Sequence, residues 1–565
     1  IIAGDLNVNC CMRTSKIIWG VLVLSGMFCQ VQAQKVKVTE GKKNASFEGW
    51  HLRSYETDGV YGAGVNQAYE YLKDRKPKAR TVVGIVDGGV DVTHEDLKDV
   101  LWRNPGEIPG NGIDDDGNGY VDDVHGWNFL GTPDGKQMEI GYTMADHEYM
   151  RLRERYENVD TTSLSSKERR EYDYFQDVCK FSFICQAYQE IAVAEAAVKY
   201  AEIFNRELKT LYPKGKRFEI KQFVPLLKEG ETNEERISAY NFFLKRFYRR
   251  KNRLVWDEQF YNNRNKVVKE VKADYEKLKD SYFAGLANRG TLGDDPENVK
   301  DRFYGNNNLL AESAVHGQHV GGIVGATRNN GIGVDGVADA DLMFVRVGPG
   351  NGDEHDKEVA LCIRYAVDNG ARVINMSFGK PFSHHNKWMI AAMKYAEKKG
   401  VLLVHAAGND GMSLDVRDFY PNRYISKNKT LQNWIAVGSI DMDGNPASSS
   451  NYGKREVDLF APGVNVYSTI YDKRFKYRAM SGTSMATPVV TGVIALIWNY
   501  FPELTAEEVK EAVLGGVTSR KGDVVPCPGN GEKVDFDSLC RTGGIVNALE
   551  AVKLAEKMYV KKFNR

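Results

Sequence analysis

The stretch ARTVVGIVDGGV, Ala79 to Val90, decides the fold: a β-branched apolar run that ends on an acid and two glycines. Thr81 to Val86 shows no polar alternation, so both faces of this strand must be covered, as in a parallel sheet held between helices. Later runs share its character: LMFVRV (342–347), ARVINMSFG (371–379), VLLVHAAGND (401–410) and WIAVGSI (434–440). They are interleaved with helical stretches such as KEVALCIRYAVDNG (357–370), and that alternation predicts an α/β chain with a mostly parallel sheet. In open sheets of this kind function gathers at the carboxyl ends of the strands, where Asp87 and Asn409 stand.

The chain has 565 residues, 42% hydrophobic and 27% charged, enough for a full core and more than one domain. Lys plus Arg and Asp plus Glu stand at 76 each, so no global field favours nucleic acid or an anionic membrane as a partner. Residues 1–33 read as upstream sequence and a signal peptide. Met12–Lys16 is a basic head, 17–29 is an apolar run shorter than the roughly 20 residues of a membrane span, and Val31-Gln32-Ala33 is a small-residue cleavage pattern. Export to the periplasm or the extracellular space, with no membrane insertion after cleavage, is the expectation. Removing this segment leaves Cys179, Cys185, Cys362, Cys527 and Cys540, an odd number that forbids a complete disulfide framework. Cys527 and Cys540 flank a Gly- and Pro-containing loop and could close it. Cys179 and Cys185, six apart in a helical pattern, fall on different faces and read as packing residues.

From 145 to 289 the character changes to long, charged, aromatic-rich helices. Ser165-Ser166-Lys167-Glu168 and Thr232-Asn233-Glu234-Glu235 are capping boxes. Ala194, Ala197, Val198, Ala201, Phe204 and Leu208 make one apolar face, and Val267, Val271, Tyr275, Leu278 and Tyr282 make another. This is an all-α insertion, a small bundle or hairpin with solvated basic and acidic faces. The flanking blocks, 81–144 and 290–565, form one interrupted domain behind a lead-in at 34–80.

A second decisive stretch is SGTSMATP, Ser481 to Pro488, which runs into the uniformly apolar VVTGVIALIW (489–498) and so sets hydroxyls at the start of a buried helix. A hydroxyl becomes a nucleophile only when a base takes its proton, and the base needs a carboxylate to orient it. Asp87 ends a buried strand, where a carboxylate is costly without partners. His316 stands in HGQHVGGIVGA (316–326), where glycines allow close approach. Ser484 lies where free N–H groups favour an oxyanion, and Asn409 could add a second donor.

DGGVDVTHEDL, HGQHVGGIVGA, INMSFG, AAGND and GTSMATPVVTG occur in the order and form of the subtilisin-like serine peptidases, and the chain resembles that family over roughly residues 81–140 and 290–555. The resemblance implies a three-layer α/β sandwich around a mostly parallel sheet. It makes Asp87 the orienting carboxylate, His316 the general base and acid, Ser484 the nucleophile and Asn409 the oxyanion donor of an endopeptidase working through an acyl-enzyme. It also implies that Ser377, Phe378 and Gly379 pair an extended peptide, and that Ala406, Ala407 and Gly408 line the pocket for the residue before the cleaved bond. Gly88, Gln318 and Gly321 depart from the family pattern but remove no proton-transferring atom. Asp91, His94 and His319 match flanking positions, and Ser481 reads as loop. The lead-in is shorter than the folded prosegment of many members.

Protein or peptide substrates follow as partners. The insertion separates Asp87 from His316 and must leave and re-enter near the cleft, either as a lid or exosite that narrows substrate choice or as an inert appendage. A narrow-specificity maturation protease, or a protease-like binding protein gated by the insertion, is the alternative to a general endopeptidase. In NGIDDDGNGYVDDVHGWNF (111–129), Asp114, Asp116, Asn118, the Tyr120 carbonyl and Asp122 have the oxygen-rich spacing of a calcium loop, though without the terminal Glu of an EF-hand. Calcium is the expected structural ion; no organic cofactor and no zinc pattern is expected.

Overall fold

The computed structural model describes residues 47–213, 217–218, 256–257 and 264–563. The signal-peptide reading and the Thr232–Glu235 capping box lie outside them. Nine strands form the central sheet: β1 Thr81–Asp87, β2 Gly126–Asn128, β3 Ala340–Arg346, β4 Val373–Met376, β5 Leu402–Ala406, β6 Trp434–Ile440, β7 Leu459–Pro462, β8 Thr518–Ser519 and β9 Gly544–Ile545. Their order is β8-β9-β7-β6-β5-β4-β1-β3-β2, and every pairing is parallel except β8 with β9.

Both faces are covered because the strand residues are apolar on both sides. Val83, Ile85, Leu342, Phe344, Leu402 and Val404 join one core; Val86, Met343, Val345, Ile374 and Leu403 join the other. On the first face lie α6 (Ala314–Gly325) and α9 (Thr483–Tyr500); on the second lie α7 (Asp356–Asp368) and α8 (Asn386–Lys398). The result is the three-layer α/β sandwich expected from the motifs. The lead-in adds to the first core through Trp50, Leu52 and α1 (Val65–Leu72), which packs on α10 (Ala548–Phe563). Trp50 also donates its ring N–H to the Asn465 carbonyl at 3.2 Å, so this segment clasps the sandwich.

Between β2 and α6 run α2 (Met144–Tyr156), α3 (Ser166–Cys179), α4 (Phe183–Leu211) and α5 (Arg264–Gly290). The Ser165–Glu168 box caps α3 as its sequence requires. One detail differs from an all-helical segment: Arg217–Phe218 pairs antiparallel with Trp256–Asp257, where aromatic residues suit a short ladder. The cysteine readings are reversed. Cys179 closes α3 and Cys185 sits in the first turn of α4, so the turn between two helices, not one continuous helix, brings their Cα atoms to 5.3 Å in a disulfide. Cys527 and Cys540 are instead buried free thiols.

Candidate functional site

Asp87 is the last residue of β1 and is buried. Its Oδ1 accepts from the Gly88 N–H and from His316 Nδ1, both at 2.7 Å. His316 stands in the first turn of α6, and Gly317 behind it permits the approach, since a Cβ there would overlap the Gly89 carbonyl. Burial works against a charged imidazole, but the Asp87 charge and hydrogen bond, helped by Glu354, outweigh it and raise the His316 pKa above its usual value. Glu354 itself is pushed up to about 7, by burial first and by neighbouring Asp353 second.

The departures from the family pattern have local causes. A Cβ on Gly88 would strike the Ser313 carbonyl, while Ser313 Oγ donates to the Gly88 carbonyl at 2.9 Å. Gln318 Oε1 accepts from the Asp91 N–H at 2.9 Å and ties the loop after β1 to α6. A Cβ on Gly321 would stand 2.5 Å from the Phe344 ring, so the large ring and the missing methyl are one packing solution. His319 is buried, bonds the Arg478 carbonyl at 3.0 Å and is driven down to about 3 by burial, which makes it a neutral structural group. His94 bonds the Lys476 carbonyl, Asp91 accepts from Thr93, and Ser481 Oγ accepts from the Asn465 N–H.

Ser484 is the second residue of α9. Pro488, four residues on, has no N–H for the Ser484 carbonyl, and the Ser377 hydroxyl takes that place at 2.9 Å. In return Ser484 Oγ donates to the Ser377 carbonyl at 3.0 Å. The strand end and the helix start are thereby locked in both directions, and the Ser484 hydroxyl has the Ser377 carbonyl, not His316, as its acceptor. Asn409 Oδ1 accepts from the Thr483 N–H at 2.9 Å, which turns its Nδ2 to the other side as a donor. Thr483 Oγ1 accepts from the Gly408 N–H at 3.1 Å and holds the AAGND turn against the same helix. Ser377, Phe378 and Gly379 follow β4; Ala406 ends β5, with Ala407 and Gly408 next to it.

In the acidic loop, Gly117, Gly119 and Asp122 all take positive φ. The structure brings Asp114 and Asp116 together with Glu107, which the motif did not include: their carboxylates offer oxygens within 4.8 Å of one another. Glu107 Oε2 is buried with no hydrogen-bond partner, so this hard-oxygen set fits a calcium ion. Asp122 turns elsewhere: its carboxylate accepts from the N–H groups of Gly110, Asn111 and Gly112. Asn118 Oδ1 accepts from the Tyr120 N–H. Glu107 is seven positions before Asp114, outside any regular spacing, and nothing in the DEHD run (353–356) marks Glu354 as the acid whose charge helps to raise the His316 pKa.

A family model described as the subtilase family matches residues 78–526. Over 199 residues the chain is 41% identical to a thermostable alkaline protease of Halalkalibacterium halodurans, covering 35% of this chain and 51% of that protein. Over 183 residues it is 43% identical to a thermophilic serine proteinase of Bacillus sp. strain AK1, covering 32% and 42%. The chain spans about half the length of these curated relatives. Among solved structures, a protease of Pseudoalteromonas arctica is 31% identical, with a TM-score of 0.35 and coverage of 44% of this chain and 74% of that one.

Proposed function

The chain belongs to the subtilase family, and from that premise we propose that it is a serine endopeptidase hydrolysing peptide bonds through an acyl-enzyme. The observation that carries the reading is the 2.7 Å bond from His316 Nδ1 to buried Asp87, which aims the opposite nitrogen at the cleft and keeps the imidazole basic. Ser484 exchanges its Ser377 acceptor for His316 Nε2, gives up its proton and attacks the substrate carbonyl. The developing oxyanion is met by the Ser484 backbone N–H at the start of α9 and by Asn409 Nδ2. His316 then protonates the leaving amine, and a water activated by the same nitrogen releases the acyl group. An extended substrate pairs with Ser377, Phe378 and Gly379, while Ala406, Ala407 and Gly408 flank the residue before the cleaved bond.

Glu107, Asp114 and Asp116 would hold a calcium ion, whose charge would offset the carboxylate cluster and stiffen the loop that leads into β2. The domain division keeps 145–289 as an insertion within the peptidase domain, and residues 12–33 direct export. Among the described residues no helix is long and apolar enough to cross a membrane. The test is fluorophosphonate labelling of residues 34–565 beside Ser484→Ala. Label on the wild type that is lost in the variant supports the reading. A folded wild type that takes no label sinks it.

A further inference from the structure

We propose that Phe419 closes the slot for the substrate residue on the acyl side of the cleaved bond, so that this residue must be glycine, alanine or serine. The inference rests on the endopeptidase reading. Gly379 ends the segment whose Ser377 carbonyl accepts from the Ser484 hydroxyl, and Gly408 immediately precedes Asn409, so the two glycines flank the reacting centre. Both meet the same ring. A Cβ on Gly379 would overlap Phe419, and one on Gly408 would stand 2.8 Å from Phe419 Cζ. The ring therefore fills the gap between the two segments, up to their glycine backbones, and at native packing density a second large side chain cannot enter beside it.

Beside the ring lies a half-open pocket of about 30 Å³ edged by His405, Arg417, Arg423 and Glu456, room for water and not for a benzyl group. The strap that carries Phe419 is tied to the opposite segment: Tyr420 N–H donates to the Lys380 carbonyl at 2.8 Å and Lys380 N–H to the Tyr420 carbonyl at 3.0 Å. It is tied to the helical insertion as well. Arg417 pairs with Asp177 at 2.7 Å and lies 4.4 Å over the Phe181 ring, and Phe181 packs edge-on against Phe382 at 5.6 Å. Phe382 follows Lys380 closely in the chain, so the turn after α3 braces the strap and the far segment together. Slot width is thus a property of this brace as well as of Phe419.

The experiment measures kcat/KM for peptides that differ only in the residue before the cleaved bond (Gly, Ala, Ser, Leu or Phe), counted per fluorophosphonate-labelled site. The wild type should favour Ala over Phe by roughly 10- to 100-fold, the range a filled apolar pocket imposes. Phe419→Gly should bring the Leu and Phe peptides level with or above Ala, and Phe419→Val should fall between. A labelled wild type that cleaves the Phe peptide as well as the Ala peptide overturns the slot. So does a labelled Phe419→Gly that keeps the small-residue preference. If the glycine variant does not fold, the wild-type series and Phe419→Val decide. A folded wild type that takes no label overturns the endopeptidase reading itself, and the slot with it.

Discussion

The reacting centre and the insertion seam are held in different ways. At the centre, backbone groups hold the side chains: Gly88 N–H on Asp87, Thr483 N–H on Asn409, and the reciprocal Ser377 and Ser484 hydroxyl-to-carbonyl bonds. Along the seam, side chains meet side chains: Tyr174 and Phe181 on Phe382, His384 on Glu148, Arg417 on Asp177, Arg289 on Asp294 and Glu358. Backbone positions are set by a sheet buried on both faces and do not move with single substitutions, which suits chemistry that tolerates little displacement. Side-chain pairs can be exchanged one at a time, so the seam is where access to the site is adjustable.

Substitutions at the two regions should separate accordingly. Asp87→Asn keeps the packing but removes the charge that orients His316, and kcat should fall by about 10⁴ with the thermal midpoint little changed. A fall of less than about tenfold, by the same comparison, would mean Asp87 is not the orienting group. Phe382→Ala empties a buried site shared by the insertion and the sandwich, and should cost about 3–5 kcal/mol in denaturant unfolding. An unchanged midpoint would show that the seam contributes no stability.

A loop that binds calcium should lose stability on chelation, by about 2.7 kcal/mol when the ion had been present at a hundred times its Kd. Glu107→Gln should shrink that difference, and equal melting with and without chelator would remove calcium from the reading. The smallest effect is on pH dependence. His316 accepts a proton only when neutral, and its pKa is raised, so kcat/KM should climb with pH through a midpoint above the usual imidazole value of 6.5. Glu354→Gln removes a neighbour that becomes negative as pH rises through about 7, and should move that midpoint down; an unmoved midpoint would show that Glu354 does not act on His316.

Much of the molecule is legible along the chain. Unbroken β-branched runs between helical stretches demand a sheet covered on both faces, and three short motifs in the order Asp, His, Ser single out the candidate reacting groups. What the chain does not reveal depends on where helices stop and turns begin. Cys179 and Cys185 look like positions on one helix until the turn at 180–182 redirects the chain and joins them. Asp122 alternates with the other loop acids, yet its positive φ turns it onto three N–H groups, while Glu107 enters from outside the pattern.

By itself the sequence determined the buried strands β1, β3, β4, β5 and β6 and the buried helix behind Ser484, and it singled out Asp87, His316 and Ser484 as candidates, because these rest on local periodicity and residue chemistry. Tertiary structure alone decided that Phe419 stands between Gly379 and Gly408 and that the insertion braces the segments on both sides of the slot. Those are contacts between parts of the chain remote in sequence, fixed by packing volume and burial, and no spacing rule records them.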